Sequence, residues 1–312
     1  MALRSLIVFT RFNAMVIAGG QWLHDLSLAK HAIICSMFGL ARLSGTRTGV
    51  FCIGVGPLRR PVSQWLLRCG FGASSLLVTR DEASTALLHK AGRSQAITAS
   101  DPALHLPTAD VAPTADVLIS PCAWASFENL YAQDSSEIEA SLSEWRTLLL
   151  ALQERGHSLA VLPTMNPEDE DFAARIIEDQ AIEIIDTGPL TPSEVQGHIA
   201  KAKHLISMRL HPVIFATNCG VHFVSLNYAA KVRAFCEQAG LGERVVELGQ
   251  TGWAQDVLAR LDLPPIDDTK ARAARAEQLL KVNAAYEALL GWLKIDEAPA
   301  PASEPEAERS EA

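Results

Sequence analysis

The sequence predicts an α/β protein made of two Rossmann-like domains that face each other across a cleft. Short apolar runs that end in glycine or proline alternate with amphipathic helical patterns, which is typical of parallel sheets. This rhythm is interrupted once, by a segment rich in Pro, Ala and Asp at residues 101–121, and then starts again. A length of 312 residues is also appropriate for two domains rather than one.

The first half contains three predicted strands and three predicted helices in alternation. The first two strands end at Gly19-Gly20 and at Gly56-Pro57, and such residues terminate a strand. The strands are 14–18, 49–55 and 75–79, and the helices are about 26–43, 62–69 and 81–91. This order predicts a parallel sheet covered by helices.

The second half repeats the same alternation. Thr191-Pro192-Ser193-Glu194 has the pattern of a capping box with proline at the first helical position. The acidic run Glu168–Asp171 is interpreted as a solvated helix start, because the helix dipole favours acids there. The predicted strands are 117–120, 158–162, 182–185, 204–207 and 222–226, and the helices are 142–152, 168–177, 192–203, 212–218 and 271–293.

These elements divide the chain into four parts. Residues 1–110 are expected to form the N-terminal domain and residues 111–266 the C-terminal domain, followed by a long amphipathic helix within 267–295. The tail, 296–312, carries six acidic residues and one basic residue and is rich in Pro and Ala. Because it has too little apolar surface to bury, we expect it to be disordered.

Composition and motifs exclude several classes of protein. Apolar residues make up 48% of the chain, which is enough for a large core. The net charge of −9 gives no global field favouring nucleic acid. No apolar run approaches the ~20 residues needed to cross a bilayer, so we expect no transmembrane segment and a cytoplasmic location. The cysteines form no CxxC pair and the histidines no HExxH motif, so no metal site is predicted.

The most informative turn follows the strand that ends at Ser207. Pro212 is suited to the first position of a helix, which makes His211 its expected N-cap. Free backbone N–H groups at a helix start, with Arg209 beside them, can bind an anion, and a histidine there can exchange a proton near neutral pH. The same spacing also fits purely structural roles, with His211 capping the helix and Arg209 paired with a carboxylate.

Other strand ends carry further candidate residues. Arg80 lies between a strand and a helix at the same expected edge, where a surface ion pair is the alternative role. Tyr228 and Lys231 follow a strand of the second half, and Lys231 is a cation suited either to a phosphate or to a solvated helix face. The glycines at strand ends permit close approach of the backbone to a ligand; they are Gly19, Gly20, Gly54 and Gly56.

Five collinear segments resemble the polysaccharide pyruvyl transferase family. They are VIAGGQWLHD (16–25), GVGPLRRPVSQWLLR (54–68), LLVTRDEAS (76–84), SDPALHLP (100–107) and the long stretch from LISMRLHP to the end of CEQAGL (205–241). The resemblance implies a fold similar to that of GT-B glycosyltransferases. It also implies transfer of the pyruvyl group of phosphoenolpyruvate to two sugar hydroxyls, which forms a cyclic ketal in cell-surface polysaccharide synthesis.

The same resemblance assigns roles to individual residues. Arg209, Leu210 and His211 match the family's R-L-H motif, which implies donor binding by the first two and catalysis by His211. Arg80 matches the arginine of an R-D-E turn implicated in donor binding. Tyr228 and Lys231 match a Y-x-x-K pattern that is also assigned to the donor side.

The family resemblance further implies the partners. Phosphoenolpyruvate is expected as co-substrate with no other cofactor, and the acceptor is expected to be a sugar or a lipid-linked oligosaccharide, met in the cytoplasm or at the inner face of the membrane. Family members begin with a βα unit bearing a G-N-x-G-D turn, which this sequence does not show before Gly19-Gly20. We therefore expect the acceptor-side, N-terminal domain to lack its first βα unit.

Two other functions stay open on the sequence. A GT-B glycosyltransferase that uses a nucleotide sugar would share the fold and the cleft. A non-catalytic protein that binds a sugar or a partner protein would fit the missing N-terminal unit.

Overall fold

In the computed structural model, the chain forms two parallel sheets joined by a long C-terminal helix. The structure describes residues 11–72, 74–122, 135–178, 180–248, 251–264 and 268–293. The expected absence of a first βα unit concerns the chain before residue 14, most of which lies outside these ranges. The acidic tail, 296–312, also lies outside them.

The N-terminal sheet has four parallel strands in the order β1-β2-β3-β4. They are β1 (Ala14–Ala18), β2 (Arg47–Ile53), β3 (Leu76–Thr79) and β4 (Ile97–Thr98). The connecting helices are α1 (Leu28–Leu43), α2 (Pro61–Gly70) and α3 (Glu82–Lys90), and a short 3₁₀ helix follows at Pro102–His105. β2 and β3 are buried almost throughout, as continuous apolar runs in a parallel sheet should be.

The C-terminal sheet has six parallel strands, from β5 to β10, in the order β10-β9-β8-β5-β6-β7. They are β5 (Val117–Ser120), β6 (Leu159–Val161), β7 (Glu183–Ile184), β8 (His204–Ser207), β9 (His222–Asn227) and β10 (Val245–Glu247). This is the strand order of a dinucleotide-type Rossmann sheet, and the order reverses between β5 and β8. Ligands of such sheets bind at the carboxyl ends of the strands beside that reversal.

Helices cover both faces of this second sheet. They are α4 (Ser135–Glu154), α5 (Glu168–Ile177), α6 (Pro192–Lys201), α7 (Leu210–Cys219), α8 (Ala230–Gln238) and α9 (Trp253–Leu261), with a 3₁₀ helix at Gly242–Arg244. The capping box at α6 is present: the Thr191 hydroxyl accepts from the Glu194 N–H, and the Glu194 carboxylate accepts from the Thr191 N–H. The sequence pattern therefore determines where α6 begins.

The last helix, α10 (Asp268–Leu293), packs against both sheets. Its residue Val282 belongs to the large core of the C-terminal sheet, whereas Ala285 is buried against β2 and β3. Farther along, the Trp292 indole N–H donates to the Ser75 hydroxyl at 2.6 Å. One helix thus contributes to the packing of both domains.

The two-domain, Rossmann-like α/β fold is confirmed, while several elements differ from the prediction. The strands β4 and β10 and the helices α8 and α9 were not predicted, and α7 begins at Leu210 instead of Pro212. β4 has two residues and β10 has three, which is too short for a clear apolar run. In the ranges the structure covers, no helix combines the length and apolar character that a bilayer-spanning segment requires.

Candidate functional site

Glycine turns close the first two strands of the N-terminal sheet. Gly19 and Gly20 have φ values of +62° and +69°, which favour glycine, and a Cβ on Gly20 would collide with the Trp22 ring. The two turns are joined to each other, because the Gly54 N–H donates to the Gly20 carbonyl at 2.8 Å. The chain therefore forms a closely packed backbone surface at the carboxyl edge of this sheet.

Arg80 emerges at the same edge, directly after β3. Its N–H donates to the Ile53 carbonyl, and its guanidinium donates from Nη1 to Asp101 Oδ2 at 3.3 Å. A Cβ on Gly54 would lie 3.0 Å from Arg80 Nη2, so the glycine leaves room for the guanidinium. The side chain is only 7% exposed, so the guanidinium and its partner Asp101 form a buried ion pair at the edge of the N-terminal domain.

The turn after β8 differs from the predicted geometry. Arg209 is the N-cap of α7, His211 is the second helical residue and Pro212 the third, so the expectation that His211 caps the helix is wrong. Proline is tolerated here because the N–H groups of the first turn have no partner within the helix. The Leu210 side chain is buried in the C-terminal core, so only its backbone could meet a ligand.

Arg209 is held by a carboxylate that the sequence interpretation placed in solvent. Its Nε and Nη2 donate to the two oxygens of Asp169 at 2.9 and 2.5 Å. Asp169 is fully buried, and Oδ2 also accepts from the Met165 N–H. The interpretation of the whole acidic run as solvated is therefore wrong at this position. The signal was the helical spacing that puts Asp169 on the same face as Phe172 and Ile176.

His211 interacts electrostatically with Arg80 and Asp101 of the N-terminal domain, and the residue is partly exposed to solvent. Burial by the surrounding protein lowers the pKa of its imidazole. Asp101 acts in the opposite direction, and Arg80 and Lys231 add to the lowering. A lowered pKa keeps the imidazole neutral near pH 7, so it can accept a proton.

Lys231 and Tyr228 approach the same point from the start of α8. Burial, with Arg80 and Arg209 nearby, lowers the pKa of Lys231 to about 8. Its Nζ lies 5.6 Å from the centre of the Tyr228 ring. Tyr228 is buried and hydrogen-bonded to Arg209, and burial raises the pKa of its hydroxyl.

Taken together, three cationic side chains and one neutral imidazole converge on the domain junction. Arg80 comes from the N-terminal domain, and Arg209, His211 and Lys231 come from the C-terminal domain. Asp101 was not predicted as a member of this group, although it begins the segment between the domains. Such a cluster can hold an anion with more than one negative group and can move a proton beside it.

A second polar group lies at the opposite, amino-terminal end of the C-terminal sheet. Nδ1 of His204 and Nδ1 of His222 are 2.9 Å apart, and Arg244 contacts the other ring nitrogen of His222. Both rings line a cavity of 590 Å³. In the residues that can be described, no three His, Cys, Asp or Glu side chains are grouped to hold a metal ion.

This histidine pair should make stability depend on pH. Burial, Arg244 and His204 lower the pKa of His222 from 6.5 to about 4. Because the unfolded chain therefore takes up the proton first, stability is complete above pH 6.5 and is lost as the pH falls towards 4, by at most about 3 kcal/mol. Urea unfolding at pH 7 and pH 4.5 measures this loss. The His222→Gln variant should lose less stability over that interval, and equal losses in the two proteins would contradict the assignment.

Comparisons with known proteins agree with this architecture. The model of the polysaccharide pyruvyl transferase family matches residues 4–229, well over half of the chain. No curated protein sequence matches the chain significantly.

Solved structures with the same fold are distant in sequence. A putative UDP-N-acetylglucosamine 2-epimerase from Listeria monocytogenes has a TM-score of 0.57 at 12% identity, over 96% of this chain and 81% of that chain. UDP-GlcNAc 2-epimerase from Neisseria meningitidis, bound to UDP-GlcNAc, has a TM-score of 0.53 at 12% identity, over 95% and 81%. A glycosyltransferase from Rickettsia africae has a TM-score of 0.53 at 10% identity, over 95% and 81%.

These structural similarities support the GT-B-like fold of two Rossmann-like domains. At 10–12% identity they carry no conclusion about substrate or activity. The family match extends over both sheets, from before β1 to the end of β9, and includes the R-L-H turn and Tyr228. The chain belongs to the polysaccharide pyruvyl transferase family.

Proposed function

We propose that this protein transfers the pyruvyl group of phosphoenolpyruvate to two hydroxyls of a sugar, forming a cyclic ketal in cell-surface polysaccharide synthesis. The observation that carries the proposal is the meeting of Arg80, Arg209, Lys231 and His211 at the domain junction. Phosphoenolpyruvate has a carboxylate and a phosphate ester attached to the same carbon atom. A cluster of cations drawn from both domains is suited to bind both groups at once.

The charges of the cluster fit this donor. With a pKa of about 8, Lys231 is mostly protonated at pH 7 and supplies a positive charge. Arg80 presents a planar guanidinium already oriented by Asp101. The first turn of α7 adds backbone N–H groups, which attract an anion.

His211 is the proposed acid and base. Its neutral imidazole takes up the proton of the first sugar hydroxyl and passes it to the methylene carbon as the hydroxyl oxygen bonds to the enol carbon. Protonation turns the methylene into a methyl group, so positive rather than negative charge develops on the carbon that the hydroxyl attacks. The second hydroxyl bonds to the same carbon while the carbon–oxygen bond to phosphate breaks, and its proton leaves with the phosphate.

The remaining parts of the proposal concern partners. Phosphoenolpyruvate serves as co-substrate with no further cofactor, and the acceptor is a sugar or a lipid-linked oligosaccharide. The protein would act in the cytoplasm or at the inner face of the membrane.

Calorimetric titration with phosphoenolpyruvate and with UDP-N-acetylglucosamine tests the proposal. We expect binding of phosphoenolpyruvate that Arg80→Ala weakens and that Lys201→Ala, a change at the exposed Lys201–Asp110 pair, leaves unchanged. Tight binding of the nucleotide sugar without phosphoenolpyruvate binding would favour the GT-B glycosyltransferase alternative. Binding of neither would favour a non-catalytic protein. Mass spectrometry of surface polysaccharide with and without the gene then tests for a pyruvate-sized difference.

The Arg209→Lys variant should bind phosphoenolpyruvate more weakly although the charge is kept. Lysine lacks the planar guanidinium group, which can donate to both oxygens of Asp169 and still have an N–H group left for phosphoenolpyruvate. We expect a loss of about 1.5–3 kcal/mol, which is roughly 10- to 150-fold in affinity. Arg155→Lys is the matched control, because Arg155 makes a similar two-point contact with Asp262 at the surface. Unchanged affinity in Arg209→Lys would remove Arg209 from the site.

A further inference from the structure

Another pocket, which we call the junction pocket, is lined by residues of four parts of the chain. It has a volume of 210 Å³. Glu82 at the start of α3 and Ser100 after β4 line one side. Gln238 at the end of α8 and Gln278 on α10 line the other. Residues of both domains and of the bridging helix therefore share one cavity.

Gln278 contributes a buried polar side chain to the lining of the junction pocket. The side chain is only 5% exposed and lies on the buried stripe of α10 with Val282 and Ala285. Its Oε1 accepts from the Ser100 hydroxyl at 3.2 Å. Within the described structure its Nε2 is buried and has no hydrogen-bond partner. Buried polar groups are nearly always paired, and an acceptor supplied by a ligand in the pocket would satisfy this amide.

The charges around the pocket favour a neutral ligand. Glu82 and Glu277 supply carboxylate acceptors, and the one lysine in the lining, Lys281, is paired with Glu277 at 2.9 Å. Because Lys281 neutralises Glu277, Glu82 leaves the lining with a net negative charge, which disfavours a phosphate or carboxylate ligand. A hydroxyl group can hydrogen-bond on both sides of the pocket, because its oxygen accepts from the Gln278 amide and its hydrogen donates to a carboxylate.

Residues that line the junction pocket are close in sequence to residues of the proposed reaction site. Ser100 precedes Asp101, the partner of Arg80, and Glu82 follows Arg80 by two residues. Gln238 ends the helix whose first turn holds Lys231. At about 30 Å³ per water, the volume corresponds to roughly seven waters and so to about one sugar ring.

We propose that the junction pocket binds one uncharged pyranose ring through its hydroxyl groups. Its assignment to the acceptor sugar rests on the proposed function, whereas the binding of a pyranose does not. Gln278 donates to a ring hydroxyl, and Glu82 accepts from another. Anionic donor and neutral sugar thus bind at adjacent sites of opposite electrostatic character.

Saturation-transfer NMR with methyl β-D-glucopyranoside and methyl β-D-galactopyranoside tests the junction pocket directly. We expect at least one pyranoside to bind the full-length protein, and Gln278→Leu to weaken that binding at least tenfold. Gln255→Leu, at an exposed position of α9, is the control and should bind as the wild type does. Glu82→Gln should also weaken binding. Because Glu82 is exposed at the start of α3, this variant tests the pocket without the risk of misfolding that the buried Gln278→Leu change carries.

The outcomes separate this inference from the proposed function. Absence of pyranoside binding to the wild type overturns the inference, as does unaltered binding in both Gln278→Leu and Glu82→Gln. Phosphoenolpyruvate binding, measured in parallel by calorimetry, should change less than twofold in Glu82→Gln. Loss of phosphoenolpyruvate binding in the wild type with intact pyranoside binding would refute the proposed function and leave the sugar site standing.

Discussion

Replacing His211 by asparagine is expected to lower turnover about 10²- to 10⁴-fold while the protein stays folded. The loss in rate follows because asparagine cannot take up or deliver the proton that the neutral imidazole handles. The residue keeps part of its surface in solvent and does not cap α7, so we expect the free energy of unfolding to change by about 1 kcal/mol or less.

A phosphate-release assay with phosphoenolpyruvate and acceptor, together with urea unfolding, measures both quantities. His198→Asn is the control, since His198 lies on α6 of the same domain and its ring contacts the Thr114 hydroxyl. A folded His211→Asn protein with wild-type turnover would refute the catalytic role.

The Asp169→Asn substitution should be the most destabilising change near the site. It removes the charge partner of Arg209 and turns one acceptor oxygen into an amide that faces existing donors. Breaking a buried ion pair in this way costs about 3–5 kcal/mol. We also expect phosphoenolpyruvate affinity to fall, because the Arg209 guanidinium loses its orientation.

The matched control for this variant is the neighbouring exposed acid. Glu170→Gln removes the same charge one residue away, and its stability should stay within about 0.5 kcal/mol of the wild type. Guanidinium unfolding of both variants gives the comparison. Equal stabilities of Asp169→Asn and Glu170→Gln would show that the Arg209–Asp169 pair contributes little.

The sequence predicts best those strands and helices whose ends are marked by specific residues. The apolar runs of β1, β5 and β8 have clear ends, and the capping box determines the start of α6. The α8 and α9 helices were missed, although α9 has its buried residues on one face. Tertiary packing stabilises such helices more than intrinsic preference does.

The candidate site was predictable only in part, for a related reason. Arg80 follows a strand of the first sheet, and Arg209 and His211 follow a strand of the second. Because the carboxyl ends of strands carry the ligand sites and the two domains were expected to face one cleft, their convergence could be expected. Asp169 is one of four consecutive acids, and only its helical spacing relative to Phe172 distinguishes it from its exposed neighbours. Pairing between distant segments, such as Asp101 with Arg80 or Gln278 with Ser100, depends on the tertiary fold and leaves no local pattern.

The placement of α10 has a mechanical consequence for any closing movement. Val282 is packed in one domain, and the Trp292 indole is hydrogen-bonded to Ser75 of the other, with Arg47 of β2 bonded to the Trp292 carbonyl. A rigid-body rotation of one sheet relative to the other must therefore bend this helix or slide it along a packed face. Packed interfaces of this kind permit small shear displacements rather than wide hinge opening. Substrates would have to enter between domains that are already held near their working separation.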